Sequence, residues 1–121
     1  NLTGYSHDKK WIRYLANKFG VVCYVICLAE NFYQLSKEDI ASLASENIFV
    51  LDKIEKFSIK NSWQTLSGCF VIKENIKKYQ VDAIHIMYAD PNALLGLFKF
   101  YFQKPMILTT RGSDVNVGLQ L

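Results

Sequence analysis

The sequence predicts an α/β layered domain with a mostly parallel sheet, and three observations carry that prediction. Short, almost unbroken apolar runs such as "VVCYVICL" and "DAIHIMY" have the character of strands covered on both faces. Between them lie stretches with helical spacing of apolar residues, bounded by capping residues and glycine. The two kinds alternate along the chain, the order that builds parallel sheets with right-handed crossovers.

Residues 8–19, "DKKWIRYLANKF", set Trp11, Ile12, Leu15 and Phe19 near one helical face, with Lys9, Lys10, Arg13 and Lys18 elsewhere. Gly20 is placed to stop that helix. The first strand follows over residues 21–28 and is expected at or near the centre of the sheet. Ser36, followed three positions later by Asp39, has the form of a capping box that opens a short helix ending at Ser45. "IFVL", residues 48–51, reads as a second strand, and Ser62 as the cap of a long helix reaching Tyr79, with Gly68 in its middle. Residues 83–88 form the third strand. Asp90 and Pro91 then supply an N-cap and a proline at the first helical position for a helix over residues 91–102. Lys104 and Pro105 end it, and "MILTT", residues 106–110, is the fourth strand. The apolar stripe of Leu97, Phe98, Phe100, Tyr101 and Phe102 reads as core, with a lipid-facing patch as the other reading.

The totals narrow the function classes. At 121 residues, with half of them apolar and 14% aromatic, the chain fits one globular domain and can bury a core. A net charge of +3 neither demands nucleic acid nor excludes an anionic ligand, and no nucleic-acid partner is expected. Cys23, Cys27 and Cys69 are an odd number without C-x-x-C spacing, so reduced, buried thiols and a cytoplasmic setting are expected. Lys99 and Lys104 interrupt the most apolar region, which rules out a membrane span there. Lys9, Lys10 and Arg13 along the first helix admit peripheral contact with the inner face of a membrane, while a solvated helical face accounts for the same charges. The sequence opens at "NLTGYSHD" without a methionine, and a first strand is expected to precede Asn1 in a longer protein. The sequon Asn1-Leu2-Thr3 is read as chance.

In open parallel sheets, ligands gather beyond the carboxyl ends of the strands. Three loops qualify: "LTGYSHD", which holds Tyr5 and His7, "YADPNA", which holds Asp90, and "TRGSDVN" after Thr110. In the last, Gly112 permits close backbone approach, Arg111 can pair with phosphate or carboxylate, and Asp114 can accept from sugar hydroxyls or cap the following helix. A Gly-Ser-Asp turn is also ordinary helix-start chemistry. His85, inside a strand run, is either a satisfied structural histidine or a site residue. No Ser-His-Asp order, phosphate-binding glycine loop or metal-ligand cluster can be assembled, and no metal or cofactor is expected.

"VDAIHIMYADPNALLGLFKFYFQKPMILTTRGSDVN", residues 81–116, resembles the N-terminal domain of family 4 (group 1) glycosyltransferases, whose pattern reads roughly D-x-I-H-x-H, a proline-bearing loop and helix, then K-P-x-x-x-T-x-[HR]-G-x-D. "SHDKKWIRYLANKFGVVCYVI" looks like that family's first helix and second strand. The resemblance implies a Rossmann-like three-layer domain, with residues 1–121 forming part of the acceptor-side half of a GT-B architecture. It also implies a bacterial-type retaining enzyme of polysaccharide biosynthesis. Its substrates would be a nucleotide sugar and a saccharide or lipid-linked acceptor, and a C-terminal domain of the same protein would hold most of the donor. By that resemblance His85 matches the first histidine of the pair, Met87 occupies the second, Arg111 stands at a position that is histidine in many relatives and arginine in others, and Gly112 and Asp114 match directly; of these, Arg111, Asp114 and His85 are the catalytic candidates. Tyr5, His7, Asp90, Gly112 and Ser113 are the substrate-binding candidates. The 121 residues alone are expected to show no transfer. Glu30 and Glu38 copy the spacing of the family's donor-binding E-x7-E, which belongs to the other domain, and are read as coincidence. The competing reading is a non-catalytic, flavodoxin-like module that binds a sugar or nucleotide, and the missing acidic pair at a strand end argues against a phosphoreceiver.

Overall fold

The computed structural model describes residues 2, 7–58, 60–87, 96 and 98–109. The chain divides into two compact units, Asn1–Ile54 and Glu55–Leu121. Both mix helices with parallel strands, as the alternation requires.

In the first unit α1 (His7–Phe19) leads into β1 (Cys23–Leu28), α2 (Ala29–Phe32), α3 (Lys37–Ser45) and β2 (Ile48–Ile54). Gly20 stops α1 at φ +66°, a left-handed conformation that L side chains resist. The capping box of α3 is complete: Ser36 Oγ accepts from the Asp39 amide and Asp39 Oδ2 accepts from the Ser36 amide, each at 3.0 Å. Strands β1 and β2 pair in parallel from Cys23 opposite Ile48 to Leu28 opposite Ile54, with an irregularity after Val25 that shifts Ile26 onto Asp52. Parallel neighbours need a crossover, and α2 and α3 supply it. The core here is Leu2, Ile12, Ala16, Cys27, Ala29, Leu43 and Ile48.

Three expectations change in this unit. Strand β2 runs on to Ile54 rather than stopping at Leu51, since the shift in register lets Asp52 and Lys53 join the ladder. Trp11 and Phe19 are exposed, and Ala16 takes the buried place beside Ile12. Strand β1, expected to be covered on both faces, buries only Cys27 fully and leaves Tyr24 exposed, and β2 is its one pairing partner among the described residues.

The second unit contains α4 (Ser62–Tyr79), β3 (Ile84–Ile86), α5 (Lys99–Phe102) and β4 (Met106–Leu108). The cap of α4 is Asn61, whose side chain accepts from the Gln64 amide at 3.1 Å, so Ser62 becomes the first helical residue instead. The buried stripe of α4 is Thr65, Gly68, Cys69, Ile72 and Ile76. The single buried polar side chain among the described residues, Thr65, donates to the Ser58 carbonyl at 2.9 Å and accepts from the Ser58 amide at 3.1 Å, which fastens the preceding loop to the helix. Phe102 is buried, but Phe100 and Tyr101 are exposed, so the core reading of that stripe holds for one of these three rings. Lys73 donates to the Tyr101 carbonyl at 2.6 Å and lies 5.3 Å from the Tyr101 ring centroid, which satisfies a carbonyl at the end of α5.

Candidate functional site

The site begins with strand pairing. Strands β3 and β4 run parallel with Ile84 opposite Met106, His85 opposite Ile107 and Ile86 opposite Leu108. The pair is closed at one end by the Ile84 amide donating to the Pro105 carbonyl, and at the other by the Thr109 amide donating to the Ile86 carbonyl, both at 2.9 Å. Because the strands are parallel, the described chain leaves both at the same edge, at Met87 and at Thr109.

Side chains alternate along a strand, so His85, Ile107 and Thr109 share a face and Ile86 takes the other. Ile86 is buried, and His85 and Ile107 are exposed. This corrects the expectation of a buried run around His85: the strand is half-covered, with the histidine on the open side. Across that face His85 Nε2 lies 2.7 Å from Thr109 Oγ1. Partial desolvation of the ring holds the imidazole pKa below its usual value, which favours the neutral form near pH 7. A neutral imidazole carries one donor and one acceptor, and a hydroxyl can meet either, so the pair stays hydrogen-bonded in both tautomers. His85 therefore pins the first residue after β4, and the sequence then runs through Thr110 into Arg111, Gly112, Ser113 and Asp114.

Those four residues, together with Tyr5 and Asp90, lie outside the described residues. Residue His7 is the first of α1, one position earlier than expected, and its side chain also lies outside them. Met87, at the second position of the histidine pair, is half-buried directly after β3. Glu30 belongs to α2 and Glu38 to the first turn of α3, so the eight-residue spacing falls on two separate helices.

Sequence reasoning missed one cluster near the carboxyl end of β2. The Lys53 ammonium lies 5.2 Å from the Phe32 ring centroid and 5.3 Å from that of Tyr33, and the two rings meet edge to face at 82°. An ammonium held in this way is partly fixed and keeps N–H groups for an anionic or hydroxylated ligand. No pattern in "LDKI" signals it, since two charged residues stand side by side there and join β2 only through the shift in register. Among the described residues no group of three or more metal-ligating side chains comes together.

In each unit a parallel strand pair is joined through helices, the arrangement of α/β domains, in which ligands gather beyond the carboxyl ends of the strands. The profile of the glycosyl transferase 4-like family matches residues 2–120, and the chain belongs to that family. It is a glycosyltransferase module, with a sugar donor and an acceptor as its general partners. No curated protein and no solved structure matches the chain. No described helix is long and apolar enough to cross a membrane.

Proposed function

We propose that the chain forms the acceptor-side part of the active site of a retaining glycosyltransferase, which moves a sugar from a nucleotide-diphosphate donor to a saccharide or lipid-linked acceptor in the cytoplasm. A second, C-terminal domain of the same protein holds the donor and, with it, most of the contacts to the departing diphosphate. Arginine, lysine and backbone amides meet the charge that develops there, without a metal. On this side of the cleft Gly112 lets the backbone approach the transferring sugar, Arg111 and Asp114 contact it or its phosphate, and Tyr5, His7, Asp90 and Ser113 border the acceptor. His85 fixes where that loop starts.

The observation that supports this reading best is the carboxyl edge of β3 and β4, fastened by the His85 to Thr109 contact immediately before the segment that holds Arg111, Gly112 and Asp114. The test uses the full-length protein. Gly112→Val and Asp114→Ala should each reduce donor turnover by roughly 100-fold, the scale seen when a positioned transition-state contact is lost, while both variants remain folded by circular dichroism. Near-normal turnover in a folded variant removes the site assignment.

A further inference from the structure

Helix α1 has two stripes. One is covered, centred on Ile12 and Ala16. The other lies open: Lys10, Trp11, Tyr14 and Lys18 follow one another at helical spacing and all are exposed. Trp11 and Tyr14 meet edge to face at 6.2 Å between centroids, Tyr14 and Phe19 at 5.7 Å, and the Lys18 ammonium lies 5.4 Å from the Tyr14 centroid. Along the sequence, exposed apolar residues continue through Val21, Val22 and Tyr24, whose ring stacks on Phe49 at 5.8 Å between centroids. Of the seven large hydrophobic residues described as exposed in the first unit, these six fall within residues 11–24, and only Tyr33 lies elsewhere.

Charge collects in the same place. Residues 7–24 hold four basic residues and one acid, which leaves ten of each for the rest of the chain, so the whole net charge of +3 belongs to this segment. Arg13 is taken up by Glu46, at 3.0 Å between Nε and Oε2. Lys10 and Lys18, by contrast, flank the aromatic rings on the open stripe. Tryptophan and tyrosine beside lysines suit a surface that is apolar below and anionic above, where the ring enters the interface and the ammonium stays at headgroup level. A protein partner of the same size would need matching acidic side chains and a shaped pocket, whereas an anionic bilayer offers negative headgroups above an apolar interior over any area.

We propose that the outer stripe of α1, continued into the start of β1, docks the protein on anionic phospholipid, with Trp11, Tyr14 and Phe19 entering the interface and Lys10 and Lys18 meeting lipid phosphates. This goes beyond the transferase reading and stands apart from it, since lipid binding is measured with no sugar present. The experiment is co-sedimentation of the intact protein with phosphatidylcholine vesicles, with and without phosphatidylglycerol. Binding is expected only where phosphatidylglycerol is present, and it should weaken as salt is raised. Lys10→Gln with Lys18→Gln should lower the partition coefficient by roughly 25-fold, about fivefold per lysine at the membrane surface. Trp11→Ala with Tyr14→Ala should abolish binding, whereas Trp63→Ala, on an exposed part of α4, should leave it unchanged. In a Trp63→Phe background, emission from Trp11 should shift to the blue on anionic vesicles. All these positions are exposed, so thermal melting should be unaltered and loss of fold is excluded directly. Equal binding to neutral vesicles, no binding to either kind, or unchanged binding by the lysine variant would overturn the proposal. So would a dimer, formed without lipid and dissolved by Trp11→Ala with Tyr14→Ala, because the stripe would then pair two copies of this chain.

Discussion

Removing the hydroxyl of Thr109 isolates the contact on which the candidate site rests. Thr109→Val keeps the side-chain shape and deletes the hydroxyl that lies 2.7 Å from His85 Nε2. A neutral hydrogen bond contributes about 0.5–1.5 kcal/mol net, and an exposed one belongs toward the lower end of that range. The coupling expected in a cycle of Thr109→Val, His85→Ala and the double variant is therefore about 0.5–1 kcal/mol, readable from urea unfolding if the slopes agree among the four proteins. Thr109→Ser keeps the hydroxyl and should retain most of the stability lost in Thr109→Val. Additive single variants, or a valine variant as stable as the parent, would refute the idea that His85 fastens the end of β4. Acid gives an independent check. The unfolded chain binds a proton on His85 near the ordinary 6.5, while desolvation lowers the folded value, so between the two the unfolded state carries more protons. Stability from this group is present above about 6.5 and falls as pH drops through that window, a slope that His85→Ala should flatten.

Other expectations concern the second unit. Thr65→Val leaves the Ser58 amide and carbonyl without their partner in a buried place and should cost about 1–3 kcal/mol by urea unfolding, with Thr65→Ser largely neutral. The Cys69 thiol is pushed by burial from the ordinary 9.0 up to about 11, so the unfolded state ionises first as pH rises. The resulting stability, on the order of 2 kcal/mol, is fully present below pH 9, lost by about pH 11, and absent from Cys69→Ala. Ile72→Ala, on the buried stripe of α4, should cost about 2–5 kcal/mol. Leu66→Ala, with 47% of the side chain's residue exposed, should stay within about 0.5 kcal/mol, and equal costs for the two would invert the face assignment.

Local chemistry was the most legible part of this sequence. Gly20 could be read as a helix stop because only glycine adopts φ +66° without strain, and Ser36 with Asp39 could be read as a box because both reciprocal bonds are short-range. Strand ends were less legible. Asp52 and Lys53 enter β2 through a register shift that no single-strand pattern encodes, and with them comes the cluster of Lys53, Phe32 and Tyr33. For the candidate site the sequence marked His85 and the segment after Thr110, but it did not reveal the bond from His85 to Thr109, which depends on pairing two strands more than twenty residues apart.

Which face of a helix is covered proved hardest to read, and α4 shows the physical reason. Trp63, Leu66 and Phe70 lie exposed, and the buried stripe is built from Thr65, Gly68, Cys69, Ile72 and Ile76. The area that aromatic rings can bury would favour placing tryptophan and phenylalanine inside. The opposite outcome follows if close packing decides, since small residues let a helix approach its neighbours and large ones hold it away. Gly68 then stops being only a weakness in the middle of a helix, since it lies buried on the covered stripe, at a cost of about 1 kcal/mol in helix propensity. The same logic separates Ala16 from Trp11 in α1. In both helices the stripe with small residues turns inward, and the aromatic residues Trp11 and Trp63 stay exposed.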